Sequence, residues 1–97
     1  MRHFHRTTLA PDDVLATADR FFPAVGLTSG ATETRARSFT GALGVLRLVI
    51  KMDGGHATFV EAQTDQVGES RLDKNVKKFF VALHRAADPR HQIEAGY

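Results

Sequence analysis

One stretch constrains the fold more than any other: residues 45–63, VLRLVIKMDGGHATFVEAQ. β-Branched and aromatic residues alternate with polar ones on both sides of a DGG sequence, which is typical of two strands joined by a tight turn. A three-residue turn over residues 53–55 places Leu48 opposite Val60, apolar against apolar. A two-residue turn would instead place Leu48 opposite Glu61 and bury the carboxylate. We therefore expect the three-residue turn, because a buried face must stay apolar.

The rest of the chain predicts two helices and two further strands. Amphipathic spacing from Pro11 to Phe22, and again over residues 71–87, predicts helices, and Ser70 with Asp73 forms a capping box before the second. Strands are predicted at four places: residues 2–9, 33–40, 45–52 and 56–65. The segment GLTSGAT, residues 26–32, predicts a loop because it combines glycines with hydroxyl side chains and has no apolar period.

The element order is therefore β-α-β-β-β-α. It predicts a two-layer α+β fold, with an antiparallel sheet and two helices packed on one of its faces. The 97 residues are enough for one domain, which we expect over residues 1–88 with a C-terminal tail over 89–97. The order of elements resembles that of helix-grip and TATA-binding-protein-like folds, in which helices pack on one face of a curved sheet. The resemblance is one of element order only, and no functional residue follows from it.

Composition limits the cellular setting. The chain has no cysteine, so it has no disulfide and no thiolate metal site, which favours a reducing compartment. No apolar run approaches the roughly 20 residues that span a bilayer, and the N-terminus lacks the apolar region of a signal peptide. We expect a cytoplasmic protein that does not enter membranes. The formal net charge of +2 is small for a dedicated nucleic-acid-binding segment.

Register predicts which side chains the helices leave uncovered. With residues 41–43 as the turn, Ala36 would pack against Leu48, whereas the alternative register would bury Arg35 and Arg37 at a high desolvation cost. The uncovered face is then expected to alternate apolar and basic side chains, with Arg47 opposite Glu61. Its predicted members are Arg35, Arg37, Phe39, Val45, Arg47, Val49, Lys51, Phe59, Glu61 and Gln63.

Apolar side chains among basic ones on a sheet surface are typical of an interface or a ligand site. We predict a small non-catalytic binding or assembly module that forms a homodimer or binds a partner protein through this face. Its expected interface residues are Phe39, Val45, Arg47, Val49, Phe59 and Glu61. One alternative is a nucleic-acid-binding domain, in which Arg35, Arg37 and Lys51 contact phosphates and aromatic rings stack on bases. A second is an apolar small molecule bound between sheet and helices. The simplest reading is that pairs such as Val49 and Phe59 only stabilise the sheet.

Nothing in the sequence points to catalysis or to a bound cofactor. His3 and His5 share one face of the first strand and His56 begins another, but the spacing typical of zinc ligands is missing, so we predict no metal. The glycines of GALG and DGG join strand to strand, whereas a phosphate-binding loop leads into a helix. No nucleophile has a recognisable base beside it in sequence. An enzyme of unknown type is therefore the last alternative.

Overall fold

The computed structural model describes residues 1–55 and 57–88, so the predicted tail at 89–97 and His56 lie outside the described residues. Seven elements follow one another: β1 Arg2–Thr7, α1 Pro11–Ala24, β2 Thr28–Glu33, β3 Ala36–Gly41, β4 Gly44–Asp53, β5 Ala57–Thr64 and α2 Arg71–Ala87. The strands form one antiparallel sheet in the order β1-β5-β4-β3-β2. The α+β class is confirmed, with one more strand than expected. Within the described ranges, no helix is both long and apolar enough to cross a bilayer.

A single apolar core lies between the sheet and the two helices. It consists of the apolar faces of α1 and α2 and the helix-facing side chains of the strands. Phe22 of α1 is its centre, with ring centroids 5.1 Å from Phe39 of β3 and 4.9 Å from Phe79 of α2. All three rings are fully buried. Such aromatic groups contribute about 0.5–1.5 kcal/mol per pair beyond the area that they bury.

The ends of the helices follow the predicted signals. Pro11 is the first residue of α1, and Asp12 and Asp13 lie in its first turn, where carboxylates interact favourably with the helix dipole. At the start of α2 the hydroxyl of Ser70 accepts a hydrogen bond from the backbone N–H of Asp73 at 3.0 Å. The predicted cap of α2 is therefore confirmed.

The segment predicted as a loop contains strand β2, so that prediction is wrong. Thr28–Glu33 pairs with β3 through a two-residue turn at Thr34 and Arg35, and its register shifts between Ser29 and Thr32. Every residue of β2 is exposed. The strand therefore carries no apolar alternation, and its pairing with β3 is what defines it.

The β3–β4 register also differs from the expected one. The turn contains two residues, Ala42 and Leu43, because Gly41 pairs with Gly44. This shift of one residue turns every side chain of β3 to the other side of the sheet. Phe39 consequently points toward the helices and is fully buried, while Ala36 takes the opposite side.

The β4–β5 hairpin is shifted by two residues. Asp53, expected in the turn, is the last residue of β4 and pairs with Ala57. Gly54 and Gly55 both have positive φ, +65° and +79°, which glycine adopts without steric cost. A shift of two leaves the side chains on their predicted faces but changes their partners, so Arg47 lies opposite Gln63.

Strand β1 forms one edge of the sheet beside β5, and Phe4 pairs with Glu61. The sequence did not predict where this strand would lie. Its alternation turns His3 and His5 toward α2, which leaves Arg2, Phe4 and Arg6 on the side away from the helices.

Candidate functional site

The candidate site is the face of the sheet that neither helix covers, called here the open face. Its members come from β1, β3, β4 and β5: Arg2, Phe4, Arg6, Ala36, Ser38, Val45, Arg47, Val49, Lys51, Phe59, Glu61 and Gln63. Glu33 joins them from β2, opposite Ala36. The structure thus brings together five of the six side chains predicted for the interface, and Phe39 is the exception.

Two stacked phenylalanines mark the β1–β5 side of the open face. The rings of Phe4 and Phe59 lie 5.6 Å apart with 27° between their planes. Phe4 is 53% exposed, the largest exposure of any described phenylalanine, and Phe59 is partly buried. Sequence reasoning missed Phe4 because its contribution depends on where β1 joins the sheet. The available signal was the alternation of Arg2, Phe4 and Arg6 with two histidines.

Strand β4 adds two valines to this aromatic pair. Val45 is 46% exposed and Val49, opposite Glu61 and Ala36, is partly buried. The apolar side chains of the open face thus come from three adjacent strands, β1, β5 and β4. Water contacts part of this surface. Burying it would be favourable by about 25 cal/mol per Å² of apolar accessible area.

Charges of both signs are interspersed with these apolar groups. Arg2, Arg6, Arg47 and Lys51 are the cationic side chains, and Glu33 and Glu61 are the anionic ones. The guanidinium of Arg47 lies 3.5 Å from the carboxylate of Glu33, and both side chains are about half exposed. Glu61 accepts a hydrogen bond from the amide of Gln63. The open face is therefore mixed in charge, with a basic excess.

A hollow of about 290 Å³ lies at one end of the open face. Arg6, Lys51, Met52 and Phe59 line it, so two cationic side chains and an aromatic ring border the same hollow. Met52 is about half exposed. This combination can hold a planar or apolar group close to a negative charge.

Three residues predicted for the open face lie elsewhere, and their assignment is corrected. Phe39 is fully buried against Phe22. Arg37 points toward α1, where its Nε donates to Asp19 at 3.1 Å and its Nη1 donates to the backbone carbonyl oxygens of Ala36 and Glu33. These partners offset the desolvation cost that argued against this register. Arg35 lies in the β2–β3 turn and is exposed.

On the helix side, His3 joins β1 to α2. Its Nε2 lies 2.7 Å from Oδ1 of Asp73, whose side chain is 1% exposed. Thr64 donates to the same oxygen at 2.9 Å, and Ser70 donates to Oδ2 at 2.5 Å. Burial acts to raise the pKa of Asp73, but the hydrogen bonds from Ser70, His3 and Thr64 together hold it below its ordinary value. This carboxylate is a structural group.

His5 lies on the same side, stacked on Phe80 with centroids 4.9 Å apart. Its Nε2 is buried and has no hydrogen-bond partner among the described residues. Burial and, to a smaller extent, the nearby His84 lower the pKa of His5. In the part of the chain that the structure describes, no three histidines, cysteines or carboxylates converge on a possible metal position.

No model of a known protein family matches this chain, and no curated protein sequence matches it. The open face and its geometry are therefore the observations from which a function can be argued. Apolar groups interspersed with charges of both signs are suited to bind another macromolecular surface.

Proposed function

We propose that this protein is a non-catalytic assembly module that forms a homodimer through the open face of its sheet. The observation that carries the proposal is the stacked Phe4–Phe59 pair, with Val49 diagonal to Phe59 on β4 and Val45 four residues further along that strand. Phe4 and Val45 are both about half exposed. Exposed apolar side chains of this kind on one face of a small domain are typical of an interface. Both helices lie on the other side of the sheet and leave this face available to a second molecule.

The size of the open face supports a second copy as the occupant. Five strands of six to ten residues, about 4.8 Å apart and rising about 3.3 Å per residue, present roughly 500–700 Å² before side-chain relief is counted. A standard interface buries about 800 Å² per partner. Two open faces packed against each other therefore approach the area that a stable dimer needs.

The charges also favour a second copy over a strongly charged partner. In a two-fold symmetric dimer, the same surface of each copy forms the interface. A contact between residue i of one copy and residue j of the other therefore occurs twice. The open face carries basic residues such as Arg2 and Arg47 as well as the carboxylates Glu33 and Glu61. Opposite charges such as Arg47 and Glu61 can therefore pair between copies on the inner strands, interleaved with the valines and with Phe59.

One observation favours a second candidate, the binding of single-stranded nucleic acid. The ring of Phe59 borders the same hollow as Arg6 and Lys51, and Phe4 extends the aromatic surface. Bases stack on such rings while cations contact phosphates. The two carboxylates of the open face weigh against this candidate because they repel phosphates.

The matched pair Val45→Glu and Val81→Glu tests the homodimer. Val45 is 46% exposed on the open face and Val81 is 49% exposed on α2, so the two variants add the same charge at similar exposure on opposite sides. Val45→Glu should weaken dimerisation about 100-fold, because each copy then buries a carboxylate and every 1.4 kcal/mol is tenfold. Val81→Glu should leave the dimer intact. Sedimentation velocity measures both, and circular dichroism confirms that each variant is folded.

Two results would contradict the homodimer. One is a wild-type protein that stays monomeric at its highest soluble concentration. The other is equal weakening by both substitutions, which would place the interface elsewhere. Fluorescence anisotropy with a single-stranded oligonucleotide tests the second candidate: salt-sensitive binding by a monomer, lost in Phe4→Ala, would establish it in place of the first.

The sequence contains no cysteine, and this supports a proposal about the cellular location of the protein. A chain without thiols needs no oxidising environment for its fold. We therefore propose that the module acts in the cytoplasm, and fractionation of cells that express it at its native level is the measurement that checks this.

A further inference from the structure

A groove of about 340 Å³ lies on the helix side of the molecule, away from the open face. One wall is a stripe of α2 and the other is formed by two apolar side chains: Val25, which follows α1, and Leu43 in the β3–β4 turn. Both apolar side chains are partly buried and pack against the core. This wall of the groove is therefore held in place by the fold.

Three cationic side chains of α2 line the opposite wall. Arg71, Lys74 and Lys78, together with Asn75, lie along the groove. A helix of about 3.6 residues per turn brings positions i, i+3, i+4 and i+7 to one side, so the cations form a continuous stripe. Asn75 donates a hydrogen bond from Nδ2 to the carbonyl oxygen of Arg71 at 2.9 Å.

The carboxylates nearest in sequence are engaged elsewhere. Glu69 pairs with Lys77 at 2.8 Å, and Lys77 does not line the groove. The electrostatic interaction of Glu69 with Lys74 is weaker and is not a contact ion pair. Asp73, the only acidic residue of α2, is buried and bonded to His3. Among the described residues, no ion pair involves Arg71, Lys74 or Lys78. The groove therefore carries three positive charges that the described part of the chain does not neutralise at contact distance.

This arrangement does not serve the stability of α2. Arg71 is the first residue of the helix and Lys74 follows within the first turn, where the helix dipole disfavours positive charge. The three cations also repel one another at helical spacing. Binding of a negatively charged ligand would explain why the helix carries a cluster of cations that destabilises it.

We propose that this groove binds a small organic phosphate, with the phosphate on the cationic stripe and an apolar body against Val25 and Leu43. A doubly charged phosphate suits a guanidinium that can donate two parallel hydrogen bonds, assisted by two ammonium groups. The volume lies at the lower end of the range for small-molecule sites, about 300–1,000 Å³. The inference is independent of the homodimer, because none of its residues lies on the open face.

Titration of ¹⁵N-labelled protein with phenyl phosphate and with inorganic phosphate, at constant ionic strength, tests the proposal. Saturable shifts should centre on Val25, Leu43 and the first two turns of α2, and phenyl phosphate should bind more tightly than inorganic phosphate. Lys74→Gln and Lys78→Gln should each weaken phenyl phosphate about threefold to tenfold. Both lysines are exposed, so the variants are expected to fold.

Matched variants separate the site from a general basic field. Arg85→Gln removes the same charge from the same helix outside the groove, leaves the Glu69–Lys77 pair intact and should leave the affinity unchanged. Leu43→Ser should abolish the preference for phenyl phosphate over inorganic phosphate, and Val45→Glu should have no effect. Equal weakening by Arg85→Gln, no preference for the phenyl ester in the wild type, or no saturable shift up to roughly 10 mM would each overturn the proposal.

Discussion

At the scale of single residues, Asp73 links three segments of the fold. Its buried carboxylate accepts hydrogen bonds from the hydroxyls of Thr64 and Ser70 and contacts His3 at 2.7 Å. These partners belong to β5, the helix cap and β1. One side chain therefore joins the sheet edge to the start of α2, and an unpaired charge there would be costly.

Asp73→Asn should lower the free energy of unfolding at neutral pH by about 2 kcal/mol, because hydrogen bonds to a charged acceptor become neutral ones. The folded-state pKa of Asp73 lies below its ordinary value of 3.8. Its stabilising contribution is therefore present above pH 3.8 and is lost as the pH falls through the folded-state pKa. Denaturant unfolding at several pH values should show that this acid-dependent loss is smaller in Asp73→Asn.

Glu69→Gln is the matched control, since this carboxylate is exposed and forms an ion pair with the exposed Lys77. The stability of that variant should change little. If Glu69→Gln and Asp73→Asn destabilise the protein equally, the hydrogen bonds at Asp73 do not have the importance assigned to them here.

His5 should make stability depend on pH in a higher range. Burial first, and His84 second, lower its pKa from the ordinary value of 6.5. The neutral ring is thus favoured in the folded protein, and its contribution is complete above pH 6.5 and is lost as the pH falls through the folded-state pKa. His5→Phe, which keeps the stacking on Phe80, should remove the decline that the wild type shows just below pH 6.5. Persistence of the same decline in His5→Phe would show that another group causes it.

At the scale of elements, the register of β3 is the decisive feature. The expected register would have left Phe39 half exposed on the open face. The actual one buries it between the sheet and Phe22 of α1 and lets Arg37 reach Asp19 at the margin of the same helix. A buried aromatic ring contributes more than the small side chains of Ala36 or Ser38 could. The need to fill the core with large apolar side chains therefore determines which side of β3 faces the helices.

Phe39→Ala measures that choice directly. Removal of a fully buried phenylalanine should lower the free energy of unfolding by about 3–5 kcal/mol. Phe4→Ala removes the same ring from an exposed position and should cost less than about 1 kcal/mol in a monomer. Urea unfolding of both variants gives the comparison. If both variants lost a similarly small free energy of unfolding, the register that places Phe39 on the open face would be supported instead.

Strand β2 shows how a regular element can lack a sequence signal. Its residues, TSGATE, are all exposed and include no large apolar side chain. Hydrophobic periodicity detects a strand through the face that it buries, and this edge strand buries none. Its existence follows from the two-residue turn at Thr34 and Arg35 and from pairing with β3.

At the scale of the whole molecule, the two proposed surfaces lie on opposite sides. The open face belongs to the sheet, whereas the groove lies between α2 and the segments that carry Val25 and Leu43. The space between the layers is filled by buried rings and leucines such as Phe79 and Leu46, which is why we do not propose an apolar ligand there. A homodimer formed through its open faces would leave both grooves accessible.

The sequence by itself determined the α+β class, the two helices with the cap at Ser70, and the faces of β4 and β5. These follow from local periodicity, and a register error of two residues, as in the β4–β5 hairpin, does not alter which face a side chain takes. Only the tertiary structure decided the position of β1, the strand β2 and the orientation of β3. Those depend on which residues fill the volume beneath the helices and which edge remains unpaired. For that reason Phe4 replaces Phe39 on the open face, a result that neighbouring residues in the sequence could not predict.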